Sequence, residues 1–99
     1  MTGASADGSV GPPLSGAGEW VPGVAHMAIV RETVATNLRS ARKRAGVSQS
    51  VLAQHAGVDK RTISRIERAK ADTGVSRLYA LAFALSIPVA DLLAGLPEP

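Results

Sequence analysis

The chain has no cysteine. That excludes a disulfide framework and any thiolate metal site, so a single domain of 99 residues must be held by helix packing or by a partner chain. A reducing cytoplasm is the expected compartment. No apolar run approaches the roughly 18 residues of a membrane span. The first residues also lack the basic start and apolar core of a secretory signal, so neither membrane nor export is expected. His55 has no second histidine or carboxylate at metal-ligand spacing, and neither metal nor cofactor is expected. The serines have no candidate base and no oxyanion-hole signature, which removes the grounds for nucleophilic catalysis and for an enzyme.

Basic residues are also missing from the first 27 positions, which carry Asp7 and Glu19 alone for a charge of −2. Residues 28–99 hold eleven basic and six acidic side chains, or +5, and the two parts together give +3. A field of that sign favours polyanionic partners. Six of the ten glycines and three of the six prolines fall within residues 1–23, with no apolar periodicity. Residues 1–28 are accordingly read as a disordered Gly/Pro/Ser-rich arm, 29–96 as the folded domain and 97–99 as a tail. Trp20, the one tryptophan, is read as a tail residue in preference to a docking anchor.

From Ile29 onward the pattern is helical. Val34, Leu38, Ala41 and Ala45 recur at i, i+4, i+7, i+11, and Gly46 stands where that helix would stop. Ser48 suits the N-cap of a second helix ending at His55-Ala56-Gly57, and Asp59 that of a third. On a wheel at 100° per residue, Arg61, Ser64, Arg65 and Arg68 share one arc, with Lys60 beside it, while Ile63 and Ile66 lie opposite. Leu78, Leu81, Ala82 and Leu85 mark a fourth helix, and Pro88 can start a fifth in VADLLAGL. With no strand signal, the expected fold is all-α: a compact five-helix bundle preceded by the arm.

The second and third helices are brief and closely joined. Ala53 would let their backbones approach, and Gly57 can take a positive φ at the turn between them. A basic helix held out in this way fits the major groove of double-stranded DNA, where Lys and Arg reach guanine O6 and N7 or phosphate.

At these residues the sequence resembles the helix-turn-helix family of phage repressors and Cro proteins, often called the Xre family. The likeness runs without apparent gap from Leu38 to Leu93, and Gln49, Ala53, Gly57, Val58, Ile63, Ile66 and Glu67 match its strongest positions. The resemblance implies that Gln49 meets backbone phosphate, that Lys60, Arg61 and Arg65 face bases or phosphates, and that Thr62 meets phosphate. Ser64 lies in the same arc, and Lys70 is a further candidate for phosphate contact. The resemblance also implies an internal ion pair, Arg42 with Glu67. The sequence departs from the family at Ala69 and Ser86, where glycine is usual, and at Pro88, where Ser or Thr usually caps.

One such module makes few base contacts, so a homodimer on two half-sites is expected. Leu92 should complete the core, leaving Val89, Leu93 and Leu96 as the candidate dimer interface. The expected function is sequence-specific DNA binding by a small transcriptional regulator, acting as a repressor. The alternative is a protein-interaction module, an antitoxin or adaptor, binding a partner protein through the arm or the last helix.

Overall fold

A computed structural model describes residues 23–97. The part of the expected arm before residue 23, Trp20 included, and the last two residues of the tail lie outside the described residues.

Between Gly23 and Gly46 the sequence contains neither proline nor glycine, and this interval forms α1, Gly23–Ala45. The helix therefore starts inside the segment whose composition points to a disordered arm. Glycine and proline, averaged over the first 28 residues, obscure the helix-compatible run Val24 to Ala28 that follows Pro22. Val34, Ala35, Leu38 and Ala41 are buried. Ala45, expected in the core, is exposed; Val47, just past the helix end, packs against the core instead. Gly46 takes φ 73°, and the Val47 amide turns back to the Arg42 carbonyl at 3.3 Å.

Helix α2, Gln49–Ala56, is capped by Ser48, whose hydroxyl accepts from the Val51 amide at 3.1 Å. Its C-cap, Gly57, has φ 72°. Helix α3, Lys60–Glu67, follows after two residues. Asp59 occupies its N-cap position, but its side chain makes no capping hydrogen bond; its backbone carbonyl accepts from Thr62 at 3.0 Å and Ile63 at 3.2 Å.

Helix α4 spans Val75–Ala84 and buries Leu78, Leu81 and Ala82. Helix α5 is shorter than the VADLLAGL expectation and covers Val89–Leu92 only, with Pro88 as N-cap. The Asn37 amide of α1 donates to the carbonyls of Leu92 at 3.0 Å and Ala94 at 2.9 Å, satisfying oxygens that a longer helix would have used.

Each helix contributes at least one fully buried side chain: Leu38, Leu52, Ile63 and Ile66, Leu81 and Leu92. α3 packs on α1 and α2, while α4 packs on α2 and α5, and α5 closes against α1. The fold is all-α, five helices and no strand among the described residues.

Ala69 and Ser86 keep the backbone that glycine would favour, with φ 59° and 56°. A Cβ in that left-handed region costs about 1–2 kcal/mol. The two turns are retained because packing on both sides fixes them: the Lys70 amide bonds to the Arg65 carbonyl at 2.8 Å, and the Ile87 amide to the Ala82 carbonyl at 3.0 Å.

Candidate nucleic-acid interface

Along α3, burial divides the residues as the wheel does. Ile63 and Ile66 are buried, Lys60, Arg61, Arg65 and Arg68 are exposed, and Thr62 and Ser64 are half-buried between them. The two isoleucines fix the rotation of the helix about its axis, because turning it would expose one or both of them. Apolar burial therefore turns the basic side chains outward.

Those cations fall into two groups. Lys60 and Arg61 leave the first turn of α3 with no hydrogen bond or ion pair to any described residue. Arg65 and Arg68 instead lie back along the end of the helix: Arg65 donates to the Lys70 carbonyl at 3.3 Å and Arg68 to the Ser64 carbonyl at 3.3 Å. Cations at that end complement the negative pole of the helix. Lys70, in the following loop, is exposed.

The far end of α3 is anchored by Glu67, 3% exposed and the one charged residue buried among the described residues. Its carboxylate accepts from Arg42 Nε at 2.7 Å and Arg42 Nη2 at 3.0 Å, a two-point pairing of α1 with α3. Arg42 also donates to the Val47 carbonyl at 3.0 Å. Burial alone would raise the Glu67 pKa, but the hydrogen bonds from Arg42 and from Gln49, with the charges of Arg42 and Arg39, outweigh it and hold the carboxyl below its ordinary value. The same bond to Glu67 raises the pKa of Arg42 against the opposing effect of burial.

Gln49 takes part in this anchor. Its side-chain amide donates to Glu67 Oε1 at 3.0 Å, so the first residue of α2 is tied to the last residue of α3. One amide hydrogen is used in that bond, and the other makes no hydrogen bond to a described residue.

Two further residues belong to this arrangement without having been singled out in the sequence. Arg39 donates to the Glu67 backbone carbonyl at 2.9 Å, closing the C-terminal end of α3 from α1. The signal was its place one turn before Arg42, which puts both guanidinium groups on the same side of α1. Asn37 sets the chain direction after α5, a contact across 55 residues with no local signature. Of the expected dimer residues, Val89 packs against the core, Leu96 is half-buried and Leu93 is 36% exposed.

Among the described residues, no group of three or more His, Asp or Glu side chains is placed to hold a metal ion, and no helix is long and apolar enough to cross a membrane.

A comparison with curated proteins gives no match. Solved structures do. The restriction-modification controller protein C.AhdI from Aeromonas hydrophila is 29% identical over 63% of this chain and 94% of its own, with a TM-score of 0.61. The hypothetical transcription factor NHTF from Neisseria is 33% identical over 65% of this chain and 74% of its own, TM-score 0.63. The clp gene regulator ClgR from C. glutamicum is 33% identical over 65% and 83%, TM-score 0.62. The family model for HTH_3, helix-turn-helix, matches residues 38–92, which run from the middle of α1 to the end of α5 and include every member of the Arg42–Glu67–Gln49 anchor. The chain therefore belongs to the HTH_3 helix-turn-helix family, the Xre/Cro-like family of DNA-binding transcription regulators.

Proposed function

We propose that this chain is a sequence-specific regulator that inserts α3 into the major groove of double-stranded DNA, acts as a homodimer on two half-sites and represses by occluding a promoter. The observation that carries this reading is the division of α3 into a buried isoleucine edge and an outward basic arc whose first two cations, Lys60 and Arg61, are unengaged. Lys60 and Arg61 reach base edges or phosphate, and Arg65 joins them by leaving the Lys70 carbonyl. Gln49, Thr62, Ser64 and Lys70 line the phosphate side, with the second amide hydrogen of Gln49 directed to a phosphate oxygen while Glu67 retains the first. The three regulators with similar structures support the reading.

The double variant Lys60→Ala with Arg61→Ala tests it by fluorescence anisotropy on a bound duplex at several salt concentrations. Circular dichroism should be unchanged, since both side chains are exposed and uncoupled. Affinity should fall at least tenfold, and the slope of log K against log salt should flatten by about 0.9 for each phosphate that is no longer neutralised. Full affinity in the double variant would contradict the assignment.

A further inference from the structure

The side chains that α3 turns outward are almost all of one chemical kind. Lys60, Arg61, Arg65 and Arg68 are exposed donors without an accepting atom, and the only other polar groups beside them are the hydroxyls of Thr62 and Ser64, which are half-buried. The helix, KRTISRIE, contains no asparagine or glutamine. Its one carboxylate, Glu67, is 3% exposed and held by Arg42. The nearest exposed acid, Asp59, stands four residues before Ile63 and therefore on the isoleucine edge, away from the arc.

A surface made only of donors selects among bases. In the major groove guanine presents two acceptors, O6 and N7, whereas adenine sets an N6 donor beside its N7, cytosine offers the N4 donor, and thymine has one acceptor beside a methyl group. A guanidinium or ammonium group satisfies guanine with two hydrogen bonds. Against adenine or cytosine the same group faces a donor, and the arc holds no amide or carboxylate to answer it. Each such pairing favours guanine over the wrong base by about 5- to 150-fold.

We infer that the half-sites read by α3 are defined by guanines, taken by Arg61 and Arg65 with Lys60 beside them. The inference rests on the DNA-binding reading above and names the bases it recognises. Availability of the side chains sets their order. Lys60 and Arg61 have no bond to any described residue, so they approach base edges without breaking one. Arg65 gives up a single 3.3 Å bond to the backbone of Lys70, an exposed loop residue. Arg68 lies past the end of the helix, held along it by the Ser64 carbonyl, and is left to phosphate. Arg61 and Arg65 are four residues apart, about 6 Å along the axis, and base pairs follow one another at about 3.4 Å. With α3 lying along the groove, their guanines stand about two base pairs apart.

The test uses the full chain, duplexes selected by it from a randomised pool, and the same duplexes with single guanines replaced by 7-deazaguanine, which keeps base pairing and deletes the N7 acceptor. The expected result is at least two guanines in each enriched half-site, each replacement weakening wild-type binding about fivefold or more by anisotropy, with no change in the salt slope. Arg61→Ala should lose its sensitivity to replacement at one of these guanines and Arg65→Ala at the other, both with wild-type helicity by circular dichroism. Half-sites defined by A·T pairs, or guanines whose N7 is deleted without loss, would overturn the guanine reading and leave the DNA-binding regulator standing. Alanine variants that keep full sensitivity would overturn the assignment to Arg61 and Arg65. Selection that enriches no sequence would overturn this inference and the sequence-specific reading together.

Discussion

Removing the positive half of the Arg42–Glu67 pair should nearly unfold the domain. In Arg42→Met the Glu67 carboxylate, 3% exposed, loses the donors at 2.7 and 3.0 Å and keeps Gln49 alone. Each hydrogen bond to a charged group contributes about 1.5–3 kcal/mol, so the loss should be about 3–5 kcal/mol, the range found for a buried charge left without its partner. That is a large part of the roughly 5–10 kcal/mol available to a small domain, and corresponds to a fall in Tm of about 15–30 °C. Glu67→Leu should cost a similar amount by stranding Arg42. The combination of Arg42→Met with Glu67→Leu removes both charges and should be milder than the sum of the two by about 2 kcal/mol or more. The assay is urea unfolding of all four proteins followed by circular dichroism. Acid adds a check on sign. The wild-type carboxyl is held below its ordinary value, so its contribution is complete above about pH 4.3 and is lost as the pH falls through the folded-state pKa. In Arg42→Met the burial effect dominates, the folded pKa rises, and acidification toward pH 4.3 should stabilise the variant. Strictly additive variants, or a loss below 1 kcal/mol, would refute the assignment of this pair as the clamp on α3.

Other perturbations follow from single contacts. Ala69→Gly and Ser86→Gly should each stabilise by about 0.5–1 kcal/mol, the relief of a left-handed Cβ less the extra freedom of glycine in the unfolded chain, read as a rise in the urea midpoint. Ser48→Ala should cost about 1 kcal/mol by freeing the Val51 amide, with thermal melting as the measure; an unchanged Tm would show that water replaces the cap. Gln49→Ala should both lower stability by about 1 kcal/mol and flatten the salt dependence of DNA binding by about 0.9. A stability loss with an unaltered salt slope would confine Gln49 to the internal bond.

Much of the fold was legible because local chemistry and packing agree. The positive-φ glycines at 46 and 57, the Ser48 cap and the isoleucine pair of α3 each act within one helical turn, and sequence records such signals directly. What sequence missed depends on groups far apart in the chain. The early start of α1 was hidden by the glycines and prolines ahead of it. The carbonyls left past the early end of α5 are met by the amide of Asn37, 55 and 57 residues away in the chain. Asp59 was expected to cap through its carboxylate because residue type favours it, yet only its backbone serves. For the candidate site, the basic arc follows from spacing alone. The engagement of Gln49 and Arg39 with Glu67 does not, because it requires α1, α2 and the end of α3 to meet at one carboxylate.

Selection of bound duplexes from a randomised DNA pool, using the full chain, tests the central claim most directly. A dimer that places one α3 in each of two successive major grooves should enrich an inverted repeat with half-site centres about 10 bp apart, and the winner should bind at least a thousandfold tighter than random duplex. Recovery of no common sequence, with weak binding that depends on salt alone, would contradict the claim and reduce the basic face of α3 to an electrostatic surface.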